Sequence, residues 1–176
     1  MSAPVKLLLI GAGGRMGLAI TRLAGSGAVP GFRVVAAVDR PDSPLAGQDI
    51  GAAAGLPPLG VPVGADLSAA LAAGADAAVD FSSPAASAAA APVLAAAGLP
   101  WVVGTTGLGD AEKAAVARAA THIPVVLSAN MSVGINLLYA LVEQAARALR
   151  GRGYDCEITE RHHRRKKDAP SGTALA

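Results

Sequence analysis

The sequence predicts an α/β fold with a doubly wound parallel sheet, and three observations indicate it. Short β-branched or leucine-rich runs alternate with alanine-rich stretches of helical length. The first run, at 5–10, leads straight into a cluster of glycines. Hydrophobic residues make up 52% of the 176 residues and charged residues 16%, a composition that favours a packed core over disorder.

The elements follow in order along the chain. Strands are predicted at 5–10, 33–39, 61–63, 77–81, 101–103 and 124–127, and helices at 16–23, 67–73, 84–97, 111–119 and 133–149. Ser83 before Pro84 supplies an N-cap and a first-turn proline, and Asp110 is expected to cap the next helix. The segment 40–64 is rich in glycine and proline, which allow at most a short helix and loops.

Charge and cysteine content narrow the class of protein. The formal net charge is +2, and five of the 15 lysines and arginines fall at 161–167, so the positive potential is local. Cys156 is the single cysteine, which excludes an intrachain disulfide and fits a reducing compartment. Two uncharged stretches, 81–109 and 123–142, are interrupted by prolines or by serines and asparagines, so we expect no membrane span.

The segment "LLLIGAGGRMGLAITRLA" carries a strand into Gly11, Gly14 and Gly17 and then into a helix, the arrangement of a Rossmann-type nucleotide-binding fold. The spacing departs slightly from G-x-G-x-x-G, and a tight turn without a ligand is the alternative. Asp39 ends the second strand 22 residues after Gly17, where an acidic residue accepts a hydrogen bond from a ribose hydroxyl. Asp39 favours NAD, whereas Arg40 can hold the 2′-phosphate of NADP, so both cofactors remain open.

Two further loops follow strands at the edge where such sheets bind ligands. "VVGTTGLGD" holds Gly104, Thr105 and Thr106, and "VVLSANMSVGIN" holds the segment from Ser128 to Met131. Both offer backbone, hydroxyl or amide groups that can orient a nicotinamide ring. The alternatives are a plain turn for the first loop and a helix cap at Asn130 for the second. Asp80 ends another strand, and we assign it to capping before catalysis.

The stretch "ERHHRRKKDAPSGTALA" combines two histidines with a basic run. A strand is predicted for 154–163, which points His162 and His163 to opposite faces and disfavours a shared metal site. The basic residues can contact phosphates, but no aromatic residue lies among them to stack on bases, and a solvated loop is the ordinary alternative. A helix start near Pro170–Thr173 beside these cations suits a small dicarboxylate better than a polymer.

These motifs together resemble one family. "GAGGRMG", "VDFSSP", "VGTTG", "SANMSVGINLL" and the terminal stretch are similar, in order, to 4-hydroxy-tetrahydrodipicolinate reductases (dihydrodipicolinate reductases) of lysine and diaminopimelate biosynthesis. The resemblance implies NADH- or NADPH-dependent reduction of a cyclic dicarboxylate to tetrahydrodipicolinate. It also implies a cytoplasmic homotetramer that binds neither nucleic acid nor membrane and uses no metal.

The resemblance also implies roles for individual residues. His162 and Lys166 match the catalytic proton donors, and His163, Gly172 and Thr173 match substrate contacts. The cofactor contacts implied are Gly11, Ala12, Gly13, Gly14, Arg15 and Met16 at the pyrophosphate, Asp39 and Arg40 at the adenosine ribose, and Gly104, Thr105, Thr106, Ser128, Ala129, Asn130 and Met131 at the nicotinamide.

The domain organisation follows from the same comparison. Residues 1–130 are expected to form the dinucleotide-binding domain, and residues 131–176 a connecting helix and the start of an α+β substrate domain. Since the family's motif opens that second domain, we expect the sequence to be truncated at its C-terminus. Two alternatives stay open: another Rossmann oxidoreductase of a small acid, and a non-catalytic nucleotide- or nucleic-acid-binding module.

Overall fold

The computed structural model of the chain describes residues 3–162, 164 and 170–175. It divides into two compact units, Met1–Leu127 and Ser128–Ala176. Within the described residues, no helix is both long enough and apolar enough to cross a membrane.

The first unit is built on a six-stranded sheet in the order β3-β2-β1-β4-β5-β6, and every pairing is parallel. The chain therefore winds outward in one direction from β1 to β3 and in the other from β4 to β6. Parallel sheets with this order open a crevice at the carboxyl ends of β1 and β4. The strands are β1 Val5–Ile10, β2 Phe32–Val38, β3 Val63–Gly64, β4 Ala77–Asp80, β5 Trp101–Val103 and β6 Val125–Leu127.

Five helices connect these strands and confirm the predicted α/β alternation. They are α1 Arg15–Gly25, α2 Ile50–Ala53, α3 Leu67–Ala70 with a 3₁₀ turn at Leu71–Ala73, α4 Pro84–Ala97 and α5 Asp110–Ala119. Ser83 caps α4 as predicted, since its hydroxyl accepts a hydrogen bond from the Ala86 N–H at 3.3 Å. The predicted cap at Asp110 is wrong, because Gly109 holds the extended cap position and Asp110 is already helical.

The core lies on both faces of the sheet. Side chains alternate along a strand, so Leu8 and Ile10 of β1 pack with Ala91 and Leu94 of α4 and with Trp101 on one face. On the other face, the Leu7 and Leu9 side chains belong to a cluster that also holds Val34, Ile50 and Val63. Burial from both sides explains why β1 is an unbroken apolar run rather than an alternating one.

Asp49 organises the glycine- and proline-rich segment between β2 and β3. Its Oδ1 accepts hydrogen bonds from the N–H groups of Ala52 and Leu59, each at 3.0 Å, and its Oδ2 accepts one from Val61 at 2.9 Å. These donors, with Leu59 the strongest, lower the pKa of the Asp49 carboxyl to about 2. One carboxylate therefore caps α2 and closes the loop that returns to β3.

The second unit contains α6 Val133–Leu149 and the short α7 Gly172–Leu175. The bounds of α6 match the prediction. The strand predicted at 154–163 is wrong for its described part, since 154–162 form no strand. A strand needs a hydrogen-bonded neighbour, and within the described residues of this unit none is present.

Helix α6 exposes many of its apolar side chains to solvent in this chain. Its exposed apolar residues include Val133, Leu137, Leu138, Leu141 and Val142, and Val133 is 86% exposed. A contiguous apolar surface of this kind normally packs against other protein.

A close contact between backbone segments lies where α1 leaves the glycine-rich loop. A Cβ at Gly17 would overlap the carbonyl of Ala12 and would lie 2.6 Å from the carbonyl oxygen of Gly11. Both obstacles are backbone atoms, which cannot rotate away. Gly17 therefore sets how closely α1 approaches the end of β1.

We expect Gly17→Ala to lower the free energy of unfolding by about 1–3 kcal/mol, because the added methyl group must push the helix from the loop. Urea denaturation followed by circular dichroism measures this change. Gly64→Ala is the matched control, since its Cβ would meet the Ala37 carbonyl oxygen at 3.9 Å, an ordinary contact. Equal losses in the two variants would contradict the close approach.

Candidate functional site

The loop after β1 has the geometry of an anion-binding turn. Gly11 has φ +75°, and a Cβ there would lie 2.7 Å from the Phe81 carbonyl oxygen. The N–H groups of Gly11 and Ala12 donate to the Val38 carbonyl at 2.9 and 3.0 Å. Gly14 occupies the N-cap position of α1, and in the described part of the chain no side chain caps this helix. The first N–H groups of α1 are thus left for a ligand.

The three spaced glycines have distinct physical roles. Gly11 supplies the left-handed turn, Gly14 starts the helix, and Gly17 allows the close crossing of helix and loop. Gly13 is the additional glycine, and its role is also steric, because a Cβ there would overlap the Asp39 carboxylate. The shifted spacing therefore keeps the tight turn and the close helix–strand packing of the ordinary dinucleotide motif.

Asp39 follows β2 and lies beside this loop. Its Oδ1 accepts the Arg40 N–H at 2.9 Å, and its Oδ2 accepts the Ser43 hydroxyl at 2.8 Å. The Arg40 guanidinium turns to Asp42, with Nε 3.1 Å from Oδ1, and remains 67% exposed. The aspartate is thus fixed in place, whereas the arginine lies at the surface in an exposed ion pair.

A cavity of about 560 Å³ lies between these groups and the start of α4. Its volume falls in the range of small-molecule and cofactor sites. It lies within the first unit, at the crevice that the strand order opens. The lining includes Gly11, Gly13, Gly14, Asp39, Arg40, Pro41, Leu45, Phe81, Ser82 and Ser83.

Asp80, the last residue of β4, is a buried polar residue at the same carboxyl-end edge of the sheet. Sequence reasoning assigned it only to capping. It is fully buried, and its Oδ1 accepts hydrogen bonds from the Ser82 N–H at 2.9 Å, the Ser82 hydroxyl at 2.5 Å and the Thr105 hydroxyl at 3.2 Å. Its Oδ2 accepts the Ser87 hydroxyl at 2.7 Å. Asp80 therefore joins the loop after β4, the helix α4 and the loop after β5.

The Gly-Thr-Thr loop after β5 has one buried and one exposed threonine. Thr105 is buried and faces Asp80, while Thr106 is exposed. The Gly104 N–H donates to the Asp80 carbonyl at 2.8 Å, and a Cβ on Gly104 would overlap the Phe81 ring. Of the three predicted cofactor residues in this loop, Thr106 is the one whose side chain is open to solvent.

The loop before α6 opens the second unit and is ordered by Asn130. The Ser128 hydroxyl donates to the Asn130 carbonyl at 2.8 Å, and Asn130 Oδ1 accepts the Ser132 N–H at 2.9 Å. The alternative considered for Asn130, a helix cap, is wrong, because Ser132 holds the N-cap position. Asn130 Nδ2 donates to the Thr173 hydroxyl at 3.0 Å, which joins a predicted cofactor residue to a predicted substrate residue. Ala129 and Met131 are exposed.

Glu160 and Ser171 form a hydrogen-bonded pair beside His162 that sequence reasoning did not identify. Glu160 Oε1 accepts the Ser171 N–H at 2.8 Å, and Oε2 accepts the Ser171 hydroxyl at 2.6 Å. Oε2 also lies 2.8 Å from His162 Nε2. The side-chain hydrogen bond from Ser171 is the largest of the interactions that lower the pKa of Glu160 to about 2, followed by that from His162. The signal was an acid two residues before a histidine, since both lie on one face of an extended chain.

Two predicted residues, the catalytic Lys166 and the substrate contact His163, lie outside the described residues. Gly172 is the first residue of α7, next to Ser171. Among the residues that the structure describes, no group of three or more histidine, cysteine or acidic side chains is placed to hold a metal ion.

Comparison with known proteins gives consistent matches. Residues 5–131 match the family model described as dihydrodipicolinate reductase, N-terminus, and residues 134–176 match dihydrodipicolinate reductase, C-terminus. The 4-hydroxy-tetrahydrodipicolinate reductase of Anaeromyxobacter sp. (strain Fw109-5) is 54% identical over 98% of this chain and 62% of the relative. That of Halorhodospira halophila is 52% identical over 95% of this chain and 61% of the relative.

Solved structures support the fold. Dipicolinate-bound dihydrodipicolinate reductase from Paenisporosarcina sp. TG-14 aligns with TM-score 0.67 and 22% identity, covering 98% of this chain and 63% of that one. An Agrobacterium radiobacter oxidoreductase in complex with NAD⁺, L-tartaric acid and magnesium aligns with TM-score 0.56 and 22% identity, covering 82% of this chain and 41% of that one. The chain thus spans 62% and 61% of these two curated relatives, and 63% and 41% of these two solved structures.

We expect Asp80→Ala to lower the free energy of unfolding by about 3–5 kcal/mol, because it leaves buried hydroxyl and N–H donors without their acceptor. Thermal and urea denaturation measure the loss. Asp42→Ala is the matched control, since this carboxylate is 81% exposed and its ion pair is worth about 0–1 kcal/mol. A loss at Asp80 no larger than that at Asp42 would show that the buried network is not needed.

Proposed function

Because the chain belongs to the dihydrodipicolinate reductase family, we propose that the protein containing it reduces 4-hydroxy-tetrahydrodipicolinate to tetrahydrodipicolinate with NADH or NADPH, in lysine and diaminopimelate biosynthesis. The observation that carries this proposal is the cavity bordered by the glycine-rich loop and Asp39 in a chain that also bears the family's histidine motif. We further propose that residues 1–130 bind the nucleotide and that residues 131–176 begin the substrate domain.

The residues present fit a dinucleotide. A side chain at Gly11 would clash with the Phe81 carbonyl and one at Gly13 with the Asp39 carboxylate, so both glycines let the loop lie close to the cavity. The open N-terminus of α1 favours the negative charge of a pyrophosphate. The groups from Gly11 to Met16 would hold that pyrophosphate, and Asp39 would accept a ribose hydroxyl. Ser128, Ala129, Asn130 and Met131, with Gly104 to Thr106, would frame the nicotinamide. When bound, the nicotinamide supplies the hydride.

Arg40 and Asp42 bear on cofactor choice. Arg40 would meet a 2′-phosphate by leaving its exposed ion pair with Asp42, while Asp39 repels that phosphate. Both nucleotides are therefore accepted, and the arginine contributes to the binding of only one.

The second unit supplies the proton chemistry in this proposal. Loss of water from the hydroxylated substrate gives a conjugated C=C–C=N system, and hydride addition to that system leaves an anion that must be protonated. His162 and Lys166 hold and deliver that proton, and His163, Gly172 and Thr173 contact the dicarboxylate. The hydrogen bond from Asn130 to Thr173 supports this arrangement, since it ties the Thr173 hydroxyl to the loop before α6.

The assembly and location of the protein follow from family membership alone. We propose a cytoplasmic homotetramer with a small-molecule substrate and without nucleic-acid or membrane partners. Light scattering coupled to size-exclusion chromatography measures the oligomer.

Replacement of Arg40 tests the nucleotide site directly. We expect Arg40→Ala to raise the Kd for NADPH by about 10-fold or more while leaving the Kd for NADH within about twofold, because only the 2′-phosphate loses a charged hydrogen bond. Nucleotide fluorescence measures both constants. Arg22→Ala, in α1, is the matched control for loss of one positive charge, and equal weakening of both nucleotides by Arg40→Ala would contradict the assignment.

The reaction itself is tested on the product of the complete reading frame that carries these 176 residues. We expect oxidation of NADH or NADPH that depends on 4-hydroxy-tetrahydrodipicolinate. His162→Gln and Lys166→Ala should each lower turnover by about 10²–10⁴-fold while retaining nucleotide binding, since each removes a proton donor.

His122→Gln, an exposed histidine of the first unit, is the control and should keep full turnover. Turnover of other keto or imino acids in place of this substrate would overturn the proposed function. Unchanged turnover in His162→Gln would overturn its catalytic role.

A further inference from the structure

We propose that Glu160 is a positioning residue of the active site: its carboxylate, anchored by Ser171, orients the His162 ring so that Nε2 is bound and Nδ1 is the nitrogen that exchanges the proton. The inference deepens the proposed function and rests on it for the role of His162. It concerns a residue pair within the second unit.

The carboxylate is held by more than the histidine. Ser171 uses both of its donors on it, the N–H on Oε1 at 2.8 Å and the hydroxyl on Oε2 at 2.6 Å. Ser171 is itself only 4% exposed, so its position is determined by packing. A carboxyl group with both oxygens engaged cannot rotate freely. The direction in which it receives His162 is therefore fixed as well.

The contact with His162 has one chemical interpretation. His162 Nε2 lies 2.8 Å from Glu160 Oε2, the distance of a charge-assisted hydrogen bond. The pKa of Glu160 is lowered to about 2 by the hydrogen bonds from Ser171 and His162, so the group is an ionised carboxylate at neutral pH. An ionised carboxylate can only accept, and His162 must then carry its proton on Nε2.

The consequence concerns the other ring nitrogen. In the neutral ring Nδ1 holds the lone pair, and in the protonated ring Nδ1–H is the donor that remains for a ligand. A carboxylate that fixes the ring and its tautomer in this way is the usual partner of an acid–base histidine. The same carboxylate also joins His162 to the segment that contains Gly172 and Thr173, which we assign to substrate contacts.

The experiment measures turnover and the histidine tautomer in the product of the complete reading frame. Glu160→Gln keeps the size of the side chain and removes its charge, and Glu160→Asp keeps the charge with a shorter reach. Glu157→Gln is the matched control, because Glu157 is exposed in the same segment. The tautomer is read from ¹⁵N chemical shifts of histidine-labelled protein, with the His162 signal assigned by its loss in His162→Gln.

We expect Glu160→Gln to lower kcat by about 10–100-fold with the KM for the nucleotide within about twofold. The neutral His162 ring should be the Nε2–H tautomer in the wild type and a mixture in Glu160→Gln. Glu160→Asp should recover part of kcat, and Glu157→Gln should match the wild type. Unchanged kcat in Glu160→Gln, or an unchanged tautomer, would overturn the proposal.

Two measurements keep this test separate from that of the proposed function. If the wild type does not reduce the dipicolinate-type substrate, the proposed function fails, and the tautomer still decides whether Glu160 orients His162. If Glu160→Gln loses its circular dichroism spectrum, Ser171→Ala replaces it, since it keeps the carboxylate and the histidine but removes the hydroxyl that holds Oε2, the oxygen next to His162. Ser171→Ala should then lower kcat and mix the tautomers, and wild-type values for both would overturn the proposal.

Discussion

The edge of the sheet that we propose to bind the nucleotide depends on one buried carboxylate at the end of β4. Asp80 is inaccessible to solvent, and four hydrogen bonds from Ser82, Ser87 and Thr105 compensate for the loss of its hydration. These donors belong to two loops and a helix, and the Ser82 N–H also donates to the Thr105 hydroxyl at 3.0 Å. Because a buried charge tolerates little loss of its partners, the loops after β4 and β5 are held in one arrangement. The cavity beside Gly11 is bordered by the first of these loops.

Backbone proximity is the second constraint at this edge. The carbonyl of Phe81 lies against Gly11, the carboxylate of Asp39 lies against Gly13, and the Phe81 ring lies against Gly104. Each glycine is thus required by a residue that follows another strand, Phe81 after β4 or Asp39 after β2. Packing therefore shapes the glycine-rich loop as much as its own turn does. The open end of α1 and the fixed Asp39 then face the same cavity, which is the combination that a dinucleotide requires.

In the second unit, too, a carboxylate accepts hydrogen bonds from a residue distant in the sequence. Glu160 engages the hydroxyl and N–H of Ser171 with its two oxygens and meets His162 with one of them. Asn130 joins the loop before α6 to Thr173 by a side-chain hydrogen bond. Short polar contacts therefore bring the histidine motif and the helix start together in a unit whose long helix leaves much apolar surface exposed. This arrangement supports the proposal that His162 is a proton donor, since Glu160 joins it to the segment that contains Gly172 and Thr173.

The sequence by itself determined the order of strands and helices, the parallel sheet, the glycine-rich loop and the family, because these depend on local patterns of apolar residues, glycines and short motifs. The bounds of α4 and α6 followed from an N-cap, a proline and helical periodicity.

Tertiary structure alone decided the roles of Asp49, Asp80 and Glu160. Asp49 accepts hydrogen bonds from Leu59 and Val61, which lie 10 and 12 residues further along the chain. Asp80 accepts one from Thr105, 25 residues away, and Glu160 accepts one from Ser171, 11 residues away. Hydrogen bonds across such separations are set by how the chain folds back, and local propensity carries no record of them. The expected strand after α6 was absent from the described residues for the same reason, since a strand exists only where another strand lies beside it.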